Sequence, residues 1–87
     1  MEVKLLEDAD EDLSFWIKTG NKPIQNKINQ LLLSIQETPY SGIGKPEALK
    51  HHFSGLWSRR INTEHRLIYE IDEVQNHIIV HSLRGHY

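Results

Sequence analysis

Glu47, Lys50, Arg59, Arg60, Arg66 and His86, all in the second half of the chain, are residue types that together can cut RNA. RNA carries its own nucleophile, the 2′-hydroxyl. Cutting it takes a base to accept that proton, an acid to protonate the leaving 5′-oxygen, and cations to hold the charge that builds on phosphorus. No metal and no cofactor is required. Plainer readings stand beside this one. Glu47 follows Pro46 and fits a solvated loop acid, and Arg66 fits an exposed strand cation pairing with Glu70 four residues on, along the same face. His86-Tyr87 would ordinarily be a frayed terminus. Residue types alone leave the choice open.

The charge distribution permits a nucleic-acid partner without demanding one. Residues 1–44 carry four Lys against seven acids, a net −3; residues 45–87 carry six Lys and Arg against five acids, a net +1, and hold all six histidines. Between 45 and 66 there are five basic residues and two acidic ones. The chain total of −2 argues against a polyanion, whereas this local excess allows one. There is no cysteine, so neither a disulfide nor a thiolate metal site is available. No run approaches the roughly 20 apolar residues of a membrane span, and the first residues lack the pattern of a signal peptide. A cytoplasmic protein of one domain, residues 1–87, is the expectation.

The elements that must position these side chains read as β-α-α-β-β-β-β. Val3 to Leu6 forms a strand. Asp8 caps a helix to about Lys18, with Leu13, Phe15, Trp16 and Ile17 as one broad apolar face. Asn21 caps a second helix, with Pro23 in its first turn and Ile24, Ile28, Leu31, Leu32 and Ile35 as its stripe; Thr38-Pro39 ends it. Glu47 to Lys50, Gly55 to Ile61, His65 to Ile71 and about His77 to Leu83 read as strands. The result is an α+β, two-layer fold: a mainly antiparallel sheet with two helices on one face and the other face partly open. Leu67, Tyr69 and Ile71 pack under the helices, which turns Arg66 towards the open face.

The segments Gly42-Ile-Gly-Lys-Pro-Glu-Ala-Leu-Lys-His51, Gly55-Leu-Trp-Ser-Arg-Arg-Ile61, Glu64-His-Arg-Leu-Ile-Tyr69 and His86-Tyr87 resemble the YoeB family of the RelE-like toxins. The likeness covers nearly the whole chain, including the Trp of the first helix and the Ile-rich second helix. It implies the microbial-ribonuclease-like fold of those toxins and metal-independent, ribosome-dependent cleavage of mRNA. It implies a YefM-like, partly disordered antitoxin as partner, operator DNA reached only through that antitoxin, and a homodimer as one possible state. Carried over by position, the resemblance makes Glu47 the general base, His86 the general acid, Arg66 the cation on the scissile phosphate and Tyr87 its neighbour on the nucleotide. Lys50, Arg60 and Glu64 fall at supporting positions. Gly85, just before His86, departs from the pattern and is expected to loosen the tail.

Other features stay open or recede. Whether Arg59 or Arg60 accompanies Arg66 depends on the Asn62-Thr-Glu turn: pairing Ile61 with His65 selects Arg60, a longer loop selects Arg59, and the resemblance favours Arg60. Trp57 fits core or rim packing. His51-His52 and the His77/His81 pair suggest surface histidines rather than a metal site, since no acid or Cys lies at a suggestive spacing. Two non-enzymatic alternatives remain, a ParE-like toxin that poisons a target such as DNA gyrase and a degenerate toxin kept as corepressor. Neither needs Glu47 and His86 together.

Overall fold

The computed structural model describes residues 1–85. Among these, five strands form one sheet: β1 (Glu2–Leu5), β2 (Glu47–Ala48), β3 (Trp57–Arg60), β4 (Arg66–Asp72) and β5 (His77–Ser82), in spatial order β1-β5-β4-β3-β2. The β2–β3, β3–β4 and β4–β5 pairs are antiparallel, and β1 lies parallel to β5 at the edge. Helices α1 (Glu7–Lys18) and α2 (Lys22–Glu37) fill the connection from β1 to β2. A 3-10 turn, His51–Phe53, separates β2 from β3.

Helix α2 begins and ends as its residues dictate. The Asn21 side chain accepts the Ile24 N–H at 3.2 Å, Pro23 occupies the first turn, and Ile24, Ile28, Leu31 and Ile35 are buried. Helix α1 differs from expectation at its start. Leu6, not Asp8, is the N-cap residue, and it makes no side-chain cap bond. The Leu6 N–H still pairs with Val80 of β5 (3.0 Å) while its carbonyl already accepts from Asp10 (2.9 Å), so strand passes to helix within one residue. Asp8 joins Glu7 and Asp10 in the first turn, favourable to the helix dipole but not a cap. Of the expected face of α1, Trp16 is buried and Leu13 and Phe15 pack against the core beside Ala9, whereas Ile17 is 57% exposed.

These helix faces meet Leu67, Tyr69, Ile78, Val80 and Leu83 in one core, with Ile71 and Trp57 at its margin. Trp57 stacks against Tyr40, ring centroids 4.9 Å apart, and serves as rim packing. Buried at the same interface is Arg59, whose guanidinium donates to the Tyr69 hydroxyl, the Ser34 hydroxyl and the carbonyls of Thr38, Ser41 and Ile43, all within 3.1 Å. Burial raises the Tyr69 phenol above its ordinary pKa, and the bond from Arg59 pulls it the other way. The loop after α2 is thereby tied to β3. Gly44 belongs to that tie: its φ is +82°, a Cβ there would meet Leu31 Cδ2 at 2.7 Å, and its carbonyl accepts the Arg60 N–H at 2.7 Å.

Candidate active site

Strand register decides which side chains share a face. Directly opposed residues of an antiparallel pair point the same way, and residues two apart along a strand do likewise. Glu47 lies opposite Ser58, Ser58 opposite Ile68, and Arg60 opposite Arg66. Glu47, Arg60 and Arg66 therefore share the face turned away from the helices, and Arg59 has the opposite one. By strand geometry Glu47 and Arg66 are separated by roughly 10 Å across two strands and about 7 Å along them. Two long side chains can reach one phosphodiester across that distance.

The β3–β4 turn sets this register. The Ile61 N–H donates to the His65 carbonyl at 3.0 Å, the pairing that selects Arg60. Asn62 Oδ1 accepts from the N–H groups of Glu64 (2.9 Å) and His65 (2.7 Å), which locks the turn. Arg66 Nη1 then folds back onto the carbonyls of Asn62 (2.8 Å), His65 (3.2 Å) and Thr63 (3.3 Å). The Arg66–Glu70 ion pair of the plainer reading is not made among the described residues; Glu70 bonds His81 at 2.9 Å. Glu47 forms no ion pair among the described residues and is exposed on the two-residue edge strand. Lys50 precedes the 3-10 turn and is exposed, and Glu64 is exposed at the tip of the β3–β4 turn.

A concavity of about 350 Å³ opens beside the Arg60–Arg66 pair, lined by Lys27, Lys45, Gly44, Arg60 and the turn residues Ile61 to Thr63. Three of these are cationic and none is acidic: Lys45 and Arg60, two of the five basic residues between 45 and 66, are joined here by Lys27 of α2. Sequence reasoning missed Lys27. The signal available was a lysine one position before the buried Ile28, on a helix whose flank borders the turn.

His86 and Tyr87 lie outside the described residues, but the residues leading to them are held. The Arg66 N–H donates to the Gly85 carbonyl at 2.8 Å, and the Gly85 N–H donates to His65 Nδ1 at 2.9 Å. The tail that Gly85 is expected to loosen lies outside the described residues; Gly85 itself is held. Its φ of +72° is a conformation glycine adopts without strain, and both of its backbone polar groups are bonded. The chain thus reaches residue 86 from a point beside Arg66. His77 and His81 each face a carboxylate, Glu2 at 3.5 Å and Glu70 at 2.9 Å. Among the described residues no three His, Asp or Glu side chains converge as metal ligands would.

A family model for the YoeB-like toxin of bacterial type II toxin–antitoxin systems matches residues 5–87. Toxin YoeB of Escherichia coli K12 is 43% identical over 81 residues, 93% of each chain. Among solved structures, a YoeB/ParE toxin from Agrobacterium tumefaciens superposes with a TM-score of 0.95 at 37% identity, covering all of both chains. The YoeB–YefM complex from Staphylococcus aureus superposes with a TM-score of 0.88 at 43% identity, covering 100% of this chain and 98% of that one. With the fold, the helix-free face and these matches in agreement, the chain belongs to the YoeB-like toxins of bacterial type II toxin–antitoxin systems.

Proposed function

We propose that this toxin is a ribosome-dependent endoribonuclease that cuts mRNA by attack of the 2′-hydroxyl on the adjacent phosphate. The observation that carries the reading is the shared face. Glu47, Arg60 and Arg66 project from neighbouring strands on the side free of helices, and the chain runs to His86 from a Gly85 bonded to Arg66. Glu47 accepts the 2′-hydroxyl proton as the 2′-oxygen bonds to phosphorus. Arg66, with Arg60 beside it, holds the charge on the non-bridging oxygens. His86 donates a proton to the 5′-oxygen as the P–O5′ bond breaks, leaving a 2′,3′-cyclic phosphate and a free 5′-hydroxyl. Tyr87 orients the nucleotide, and Lys50 and Glu64 support the site. The nucleophile belongs to the substrate, so the scheme uses no metal.

An exposed, shallow site of this kind positions RNA poorly alone, and the ribosome supplies the orientation. The inhibiting partner is a YefM-like antitoxin, as in the Staphylococcus aureus complex. An acidic, partly disordered segment folding over the basic concavity and Arg66 would block the site by charge complementarity. The test is primer extension on mRNA from cells expressing wild type, Glu47→Ala or His86→Ala, with the purified variants checked for folding. Each substitution should slow cleavage by about 10²–10⁴-fold and relieve growth arrest. A folded His86→Ala protein that cuts at the wild-type rate would remove the acid assignment.

A further inference from the structure

Residues 83–85 are fastened with a thoroughness that the core does not require. The Leu83 N–H donates to Asp12 Oδ2 at 2.9 Å, and the Leu83 carbonyl accepts from Trp16 Nε1 at 2.9 Å, so both backbone groups are taken by α1. The Arg84 guanidinium carbon lies 3.7 Å from the centroid of the Phe15 ring, a cation–π contact on the same helix. The Gly85 N–H reaches His65 Nδ1 at 2.9 Å, and the Gly85 carbonyl takes the Arg66 N–H at 2.8 Å. His65 is itself braced: its ring stands edge-on to Trp16, centroids 4.8 Å apart at 71°. A single indole thus holds Leu83 through its N–H and steadies the imidazole that holds Gly85.

We propose that His65 is a positioning residue whose unprotonated Nδ1 latches the Gly85 N–H and so sets where the chain end bearing His86 departs beside Arg66. The proposal rests on the reading above, in which His86 is the general acid. His86 is joined directly to Gly85, so fixing Gly85 limits where His86 can stand. A covalently linked Cα can lie only 3.8 Å away. A nitrogen that accepts this bond carries no proton, so the neutral ring bears its proton on Nε2. What the latch requires is an acceptor at the Nδ1 position, with ring shape alone insufficient. A misplacement of about 1 Å in a reacting group can cost on the order of 100-fold in rate. The latch therefore acts on turnover and leaves ribosome binding to the basic surface.

Two substitutions separate acceptor from ring. His65→Phe keeps a ring against Trp16 and removes the acceptor; His65→Asn gives up the ring and returns an oxygen close to where Nδ1 stood. Both are measured as folded full-length proteins for mRNA cleavage on ribosomes, kcat and KM separately, and for hydrogen exchange at the Gly85 amide by NMR. His65→Phe should lower kcat roughly 10- to 100-fold with KM for ribosomes unchanged and expose the Gly85 amide to exchange. His65→Asn should recover most of both. Wild-type kcat in His65→Phe, or equal losses in the two variants, would overturn the latch. His86→Ala, run alongside, tells two failures apart. An inactive His86→Ala beside a fully active His65→Phe removes the latch alone, whereas an active His86→Ala removes the acid assignment and the latch with it.

Discussion

A buried guanidinium must find oxygen for five N–H donors, and Arg59 does so without a carboxylate, using three carbonyls and two hydroxyls. Arg60, the next residue, faces the opposite way and is exposed. Their substitutions should therefore differ sharply. Arg59→Ala deletes the cation joining β3 to the loop after α2 and leaves its acceptors unpaired. A loss of about 3 kcal/mol or more is expected, a large share of the stability of a chain this size. Arg59→Lys should rescue little, since three donors on a point charge cannot replace a planar fork. Arg60→Ala should stay within about 0.5 kcal/mol of wild type while weakening cleavage. Urea midpoints decide the matter; an Arg59→Ala protein as stable as Arg60→Ala would show that the buried network contributes nothing net. The residue types of the site were legible in the sequence, but the assignment between these two arginines was not. It hangs on the register of one turn, which Asn62 sets through bonds to two backbone N–H groups.

At the scale of elements, the two helix starts show what a local pattern can and cannot determine. Asn21 caps α2 by a bond within three residues, and the stripe from Ile24 to Ile35 continues it, so everything needed lay within one window of sequence. The start of α1 is set from a distance, by Leu6 pairing with Val80 across the parallel β1–β5 edge. No helical periodicity near Asp8 reports that pairing. The same distinction covers the β-bulge between Ile68 and Tyr69, which shifts the β4–β5 register and arises only once the strands meet. A pair of substitutions follows. Asn21→Ala should cost about 0.5–2 kcal/mol, the usual loss of an N-cap, whereas Asp8→Ala should cost only a few tenths through the helix dipole. Thermal or urea denaturation checks both, and equal losses would restore Asp8 as a cap.

For the whole molecule, the question is whether binding and cutting are separable, because the chain is acidic in total and basic only in one region. Among the described residues, the contacts fastening residues 83–85 end on Asp12, Phe15, Trp16, His65 and Arg66. Removing the last two side chains should thus leave the strap and the core intact. Truncation is the poorer way to do it, since a new α-carboxylate at Gly85 would stand against Arg66 and could neutralise it. His86→Ala/Tyr87→Ala keeps the terminus two residues away. This double variant should unfold within about 0.5 kcal/mol of wild type, since the contacts that fasten residues 83–85 to α1, His65 and Arg66 are retained. It should bind ribosomes with nearly wild-type affinity and the same fall in log affinity with log salt, since Lys27, Lys45, Arg60 and Arg66 are retained. Cleavage should vanish. Sedimentation with ribosomes across a salt series, paired with primer extension, reads both quantities on one preparation. A double variant that binds and still cuts would place the acid elsewhere on the face, and one that arrests growth without cutting would favour a toxin that acts by occupancy.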